Sequence, residues 1–129
     1  MNVLLADDER MLRHYLKALL KRWGAEVHTA RSAADALDHL KHTDYDLLLL
    51  DLRLSDHDAL WLLDHASVPG HTRIVVMTAF APTDVERRLR QRGVGDILTK
   101  PFSPEQLMDL LERHKPPPPP ALVPLAVPC

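Results

Sequence analysis

The feature that most constrains the fold is a fivefold alternation of short apolar runs with amphipathic stretches. The apolar runs have the length of β-strands, and the stretches between them repeat apolar residues at helical spacing, as Leu12, Leu16 and Leu19 do. Strands that alternate with helices favour a parallel sheet, because right-handed crossovers place helices on both of its faces. The pattern predicts an α/β fold, a doubly wound five-stranded parallel sheet with five helices, and excludes an all-helical bundle.

The element boundaries follow from the same pattern. Strands are predicted over residues 2–6, 26–30, 46–50, 73–78 and 96–99, and helices over 9–23, 32–41, 59–65, 82–92 and 103–114. Ser32 with Asp35, and Ser103 with Gln106, have the spacing of capping boxes that begin helices. Four consecutive leucines in the third strand indicate a central strand that is covered on both faces, and the more polar second strand indicates an edge.

Composition indicates one folded domain over residues 1–115 and a proline-rich tail or linker over 116–129, which favours extended polyproline II. Sixteen Lys and Arg against eighteen Asp and Glu leave a net charge of -2, which predicts no direct nucleic-acid partner and no membrane partner. No apolar stretch reaches the roughly 20 residues that cross a bilayer. With a single cysteine and no signal peptide, the expected location is the cytoplasm.

Residues suited to phosphoryl chemistry stand where the predicted strands end. Asp7 and Asp8 follow the first strand, Asp51 the third and Lys100 the fifth, while Thr78 ends the fourth. In open parallel sheets, ligands bind beyond the carboxyl ends of the strands, where the strand order reverses. If the first and third strands are neighbours there, three carboxylates share one pocket, and they repel one another unless a cation lies among them.

An all-oxygen ligand set at such a pocket suits Mg²⁺, which keeps several waters and combines carboxylates with a phosphate. The metal in turn implies a phosphoryl group. The Lys100 ammonium and the Thr78 hydroxyl could hold phosphoryl oxygens during an in-line transfer. Asp51 is the candidate nucleophile, because a carboxylate can accept a phosphoryl group as an acyl phosphate.

Four separately placed motifs carry a resemblance to a known family. They are Leu4-Leu5-Ala6-Asp7-Asp8-Glu9, Leu50-Asp51-Leu52, Met77-Thr78-Ala79 and Leu98-Thr99-Lys100-Pro101-Phe102. In this order and at these separations, they resemble the receiver domain of two-component response regulators over residues 1 to about 114. The resemblance implies a flavodoxin-like receiver fold with strand order 2-1-3-4-5.

The resemblance also implies roles for the site residues. Asp51 would take a phosphoryl group from the phosphohistidine of a sensor histidine kinase or phosphotransfer protein, in a reaction that depends on Mg²⁺. Asp8 and Asp51 would bind the metal directly, together with the backbone carbonyl of Arg53, and Asp7 would act through water. Such a domain is a signalling switch with self-phosphorylation and slow autodephosphorylation, and not an enzyme that turns over a substrate.

Contacts and partners follow from the resemblance as well. Thr78 and Lys100 would touch the phosphoryl oxygens, and the Lys100–Pro101 peptide bond would be cis. The face formed by the fourth helix, fifth strand and fifth helix would bind a partner. This partner would be a downstream output protein, an output domain absent from this sequence, or a second copy of the chain. Four arginines give the fourth helix a basic face, which is best described as a solvated helix surface and which a partner could also contact: Arg87, Arg88, Arg90 and Arg92.

Two departures from the family pattern concern signal readout and one loop. Ile97 stands where the family usually has Tyr or Phe, and an aliphatic side chain makes neither the hydroxyl contact nor the large rotation of such a ring. The segment Ser55-Asp56-His57-Asp58-Ala59 replaces the frequent Pro-x-x-Asp-Gly, which removes two loop restraints. Both leave the carboxylates, the threonine and the lysine intact.

Two other functions are compatible with this fold class. A phosphohydrolase with an aspartate nucleophile usually carries a second Asp two residues later, where this chain has Arg53. A phosphorylation-independent interaction module normally lacks part of the acidic pair, the acceptor or the lysine, and this chain retains all of them. The Asp-rich turn after the first strand disfavours a flavin phosphate, which it would repel.

Overall fold

The computed structural model describes residues 1–113 and has five strands alternating with five helices. The strands are β1 (Asn2–Ala6), β2 (Glu26–Ala30), β3 (Leu47–Asp51), β4 (Arg73–Thr78) and β5 (Asp96–Thr99). The helices are α1 (Arg10–Arg22), α2 (Ala33–His42), α3 (Ala59–His65), α4 (Thr83–Gln91) and α5 (Pro104–Arg113). The predicted boundaries agree with these to within one residue. The tail predicted over residues 116–129 lies outside the described part of the chain, so that boundary stays a prediction.

The strands form one parallel sheet in the order β2-β1-β3-β4-β5, which confirms the doubly wound fold. β2 lies at an edge, as its alternating polar residues predict, and β3, which is all leucine up to Asp51, lies at the centre. The chain leaves β1 for β2 on one side and returns to β3 on the other, so the strand order reverses between β1 and β3. A crevice therefore opens beyond the carboxyl ends of these two strands.

The core has two layers, because successive side chains of a buried strand point to opposite faces of the sheet. Leu48 and Leu50 pack with residues of α2, α3 and α4 on one face. Leu47 and Leu49 pack with residues of α1 and α5 on the other. This double burial explains why β3 needs leucine at both alternating positions, and it fixes the strand that carries Asp51 at the centre of the molecule.

Side-chain caps fix where α2 and α5 begin. Both predicted capping sequences are confirmed: the Ser32 hydroxyl accepts a hydrogen bond from the Asp35 amide at 3.0 Å, and Ser103 and Gln106 bond reciprocally at 3.1 and 2.7 Å. A cap from a distant loop was not predicted. The Asp56 carboxylate, which belongs to the loop between β3 and α3, accepts bonds from the Ala33 amide at 2.8 Å and the Ala34 amide at 2.9 Å.

We expect Asp56→Ala to destabilise the domain by about 1 kcal/mol, the usual cost of losing a helix cap. Burial alone would raise the pKa of Asp56, but hydrogen bonds from the backbone amides of Ala34, Ala33 and His57 outweigh it and lower the pKa. A carboxyl with a lowered pKa in the folded state stabilises the fold above the unfolded pKa of about 3.9 and loses this effect as the pH falls through the folded value. Urea unfolding should therefore separate the variant from the wild type at pH 7 and bring them together in acid. Asp44→Ala, an exposed aspartate without such a bond, should leave stability nearly unchanged.

Candidate functional site

Three carboxylates meet in the crevice between β1 and β3, as predicted. Asp7 and Asp8 follow β1, and Asp51 is the last residue of β3, where it pairs in register with Met77 of β4. Each of the three offers an oxygen within 4.8 Å of the others. Asp7 is fully buried, Asp51 is largely buried and Asp8 is exposed, so the cluster runs from the interior to the surface.

Lys100 projects into this cluster from the loop after β5. Its ammonium lies 3.1 Å from Asp51 Oδ2 and 3.3 Å from Asp7 Oδ2, and it thus bridges two strand ends. Its own amide donates to the Thr78 carbonyl at 2.8 Å, and the Lys100–Pro101 peptide bond is cis, as the family resemblance implied. Part of the neutralising charge that the sequence ascribed to a metal ion therefore comes from within the chain.

Burial and charge oppose each other at the lysine–aspartate pair. Burial raises the pKa of Asp51 despite the hydrogen bond and the charge of Lys100, and the charge of Asp7 raises it further. For Lys100, burial would lower the pKa, but the carboxylates of Asp51 and Asp7 outweigh it and the pKa rises. Lys100 is therefore a cation at neutral pH. One ammonium among three carboxylates leaves a net negative site.

The donor set fits a hard divalent cation. The ligand atoms are carboxylate oxygens at a pocket that reaches the surface, which suits Mg²⁺ and its retained waters. The excess of negative charge that Lys100 leaves uncompensated favours such an ion. Within residues 1–113, these three aspartates are the group of acidic, histidine or cysteine side chains that converges closely enough to hold a metal.

A cavity of about 270 Å³ lies against the cluster. The predicted transfer residues Asp51, Thr78 and Lys100 all line this cavity. The rest of the lining comes from neighbouring loop residues: Arg53, Ala79 and Phe80. The Thr78 hydroxyl faces its own loop, because it donates to the Phe80 carbonyl at 2.9 Å and accepts from the Phe80 amide at 3.2 Å. The Arg53 amide lies 3.4 Å from Asp51 Oδ1. The cavity thus gives a group in solution access to Asp51 and Lys100 together.

The sequence of residues 3–112 matches the family model of the response regulator receiver domain. The chain belongs to this family. Among curated relatives, the alginate biosynthesis transcriptional regulatory protein AlgB of Pseudomonas putida is 37% identical over 106 residues, which are 81% of this chain and 24% of the relative. The transcriptional regulatory protein ZraR of Salmonella typhimurium is 31% identical over 113 residues, 87% of this chain and 26% of the relative. The receiver domain thus spans about a quarter of these longer proteins.

A solved receiver structure agrees with the fold. The non-phosphorylated HemR receiver domain from Leptospira biflexa superposes with a TM-score of 0.81 at 26% identity, covering 92% of this chain and 97% of that one. Receiver domains are signalling domains and generally bind Mg²⁺ at an acidic cluster such as this one. None of the helices between residues 1 and 113 is long and apolar enough to cross a bilayer.

The loop after β3 keeps its shape by restraints that sequence reasoning missed. In place of the family's frequent proline and glycine, Asp56 caps α2, and Asp58 caps α3 by accepting from the Trp61 amide at 2.8 Å. The Leu54 amide also donates to the His57 carbonyl at 3.0 Å. The position of Asp58 just before an apolar helical run was a signal for its cap. The bonds that Asp56 accepts from Ala33 and Ala34 cross more than 20 residues and left no local signal.

Ile97, the other departure, is part of the core. It pairs in register with Val76 of β4 and packs, partly buried, against the face of the sheet that α2, α3 and α4 cover. The receiver domain thus has an aliphatic packing residue at this point of β5, which ties the strand to the core.

Proposed function

We propose that this receiver domain is the phosphoacceptor of a two-component pathway, in which Asp51 takes a phosphoryl group from the phosphohistidine of a sensor histidine kinase or phosphotransfer protein. The observation that carries the proposal is the convergence of Asp51, Thr78 and Lys100 on one cavity beside an acidic cluster. Arg53 stands where an aspartate-nucleophile phosphohydrolase would need its acid/base, which favours a reversible switch over turnover.

The residues of the chain supply nucleophile, charge and a hydrogen bond. A carboxylate oxygen of Asp51 attacks phosphorus in line, so that an O–P bond forms as the N–P bond to the donor histidine breaks. The Lys100 ammonium, already 3.1 Å from Asp51 Oδ2, moves onto a phosphoryl oxygen and balances the added charge. The Thr78 hydroxyl turns from the Phe80 carbonyl to another phosphoryl oxygen. This rotation would break the hydrogen bond to the Phe80 carbonyl, so phosphorylation would change the bonding of the loop between β4 and α4.

Asp8, Asp51 and the Arg53 carbonyl would hold Mg²⁺, with Asp7 acting through water. When bound, the metal would neutralise charge shared by the carboxylates and the phosphoryl oxygens. Lys100 and Asp7 would then remain paired across the buried end of the cluster, where the ammonium lies 3.3 Å from Asp7 Oδ2. With Lys100 and Asp7 paired at the buried end of the cluster, the ion would bind at the surface end, beside Asp8.

The output face would be formed by α4, β5 and α5 and would meet an output domain, an output protein or a second copy of the chain. Two arginines of the α4 region are held within the domain: Arg92 pairs with Asp64 at 2.6 Å and Arg90 with Glu86 at 3.8 Å. Arg87 and Arg88 are exposed on the same helix and are available to a partner. The proposed setting of the pathway is the cytoplasm.

The proposal is tested by incubation with acetyl phosphate, with and without Mg²⁺, and intact-mass measurement of the product. We expect one phosphoryl group to be added in the presence of Mg²⁺, and none to be added to Asp51→Ala. Asp109→Ala, which removes an exposed carboxylate of α5, is the matched control and should behave as the wild type does. Modification that ignores the metal, or that survives the Asp51 substitution, would contradict the proposed function.

Phe80→Ala is expected to shorten the lifetime of the phosphorylated state. Phe80 lines the cavity beside Asp51 and is 74% exposed, so it stands where water would enter. Removing the ring should speed dephosphorylation by up to about tenfold, which is a barrier change of ~1.4 kcal/mol. Loss of the phosphorylated species is followed after the phosphodonor is removed. Phe80→Leu should fall between the two, and equal rates for the wild type and Phe80→Ala would refute the role of the ring.

A further inference from the structure

An apolar groove of about 360 Å³ runs between α1 and the start of α5. Its walls are mostly carbon and come from three segments of the chain, chiefly through Leu12, Tyr15, Leu19, Pro101, Phe102 and Pro104. The side chains of Leu12, Leu19 and Phe102 pack partly against the core, while Tyr15 is 51% exposed at the rim. The groove is thus a preformed aromatic and aliphatic surface that the described residues leave open to solvent.

We propose that residues 121–127 of this chain (ALVPLAV) dock in this groove. Residues 114–129 lie outside the part of the chain that the structure describes, and residues 116–129 carry no charge and seven prolines. Proline-rich segments in the polyproline II conformation bind aromatic-lined grooves with little loss of conformational entropy. Residues 121–127 are also uncharged and apolar, which suits a groove whose walls are mostly carbon.

The geometry of α5 favours this segment of the chain as the occupant. α5 begins at Pro104, in the groove wall, and ends at Arg113, about 15 Å away at 1.5 Å per residue. Its far end lies beside the far end of α1, because Trp23 Nε1 donates to Glu112 Oε1 at 2.6 Å. The described part of the chain therefore ends one helix length from the groove.

The five prolines at 116–120 have the length needed to return. In polyproline II they extend about 16 Å, at 3.1 Å per residue, which is close to the length of α5. A semi-rigid spacer of this length would bring Leu122, Val123 and Leu125 level with Tyr15 and Phe102. The end of the groove nearest the carboxylates is formed by Lys100 and Ala79, so a docked segment would stand beside the proposed phosphoacceptor site.

A nitroxide on Cys129, the one cysteine of the sequence, tests this proposal in the full 129-residue chain by NMR. Docking would bring the label to α1 and α5, so the amide signals of Leu12, Tyr15 and Phe102 should lose intensity. The signals of α3 should keep theirs, because α3 packs on the opposite face of the sheet. The experiment needs no phosphorylation, so its outcome is independent of the proposed function.

Matched variants locate the contact. A double variant, Leu122→Asp and Leu125→Asp, places charge against the apolar walls without changing the folded domain. It should restore the amide signals that the nitroxide weakens in the wild type. Tyr15→Ser should weaken the intensity loss, whereas Met11→Ser, on the same helix but outside the groove and 80% exposed, should not.

Three results would overturn the proposal. The first is full intensity at Leu12, Tyr15 and Phe102 in the labelled wild type. The second is a loss of signal that is centred on α3. The third is loss in an isotope-labelled chain mixed with a nitroxide-bearing, isotopically silent chain, because that would place a second copy in the groove.

Discussion

Lys100→Ala is expected to slow phosphorylation of Asp51 by roughly 10²–10³-fold while strengthening Mg²⁺ binding. The loss of rate has the size found when one preorganised charge or donor is removed from a transition state. The gain in metal affinity has the opposite sign because the ammonium neutralises part of the negative charge that attracts the ion: it lies 3.1 Å from Asp51 Oδ2 and 3.3 Å from Asp7 Oδ2. Removing it leaves three uncompensated carboxylates, which should raise Mg²⁺ affinity by roughly tenfold.

Calorimetric Mg²⁺ titration and phosphorylation by acetyl phosphate measure the two effects separately. Lys41→Ala, on the exposed face of α2, is the charge-matched control and should change neither. Lys100→Arg should keep metal affinity close to that of the wild type, since the positive charge remains, but restore the rate only in part because the guanidinium has a different shape. An unchanged rate in Lys100→Ala, or weaker Mg²⁺ binding, would show that Lys100 does not act as we propose.

Leu49→Ala is expected to lower the free energy of unfolding by about 2–5 kcal/mol. Leu49 has no exposed surface and packs from the central strand β3 against the layer that α1 and α5 cover. The substitution removes buried methyl groups and leaves a cavity that a central strand, paired on both sides, cannot close by moving. Since domains of this size are stable by only about 5–15 kcal/mol, this is a large fraction of the total.

Urea unfolding monitored by circular dichroism measures this loss. Leu98→Ala is the matched control, because it makes the same change on the edge strand β5, where the side chain is only partly buried. It should cost clearly less. The slope of free energy against urea should stay equal among the three proteins, since a cavity changes stability and not the surface exposed on unfolding. Equal losses in both variants would contradict the central role of β3.

Sequence alone determined the elements of the fold and which residues would meet at the ends of the strands. The local period of apolar residues separates strands from helices, and the unbroken leucines of β3 and the polar alternation of β2 indicate the centre and an edge of the sheet. Asp7, Asp51 and Lys100 were found because parallel strands bring their carboxyl ends to one side of a sheet, so residues far apart in the chain are predicted to meet.

The tertiary structure decided which groups bond within that site and what holds the neighbouring loops. The bridge from Lys100 to both Asp7 and Asp51, and the Asp56 cap on α2, each join segments separated by more than 20 residues. Hydrophobic period is a local property of the chain, whereas these contacts depend on strand register, crossover geometry and side-chain rotamers, which are fixed only when the core packs. The sequence therefore predicts the composition of the site, and the packed sheet decides its pairings.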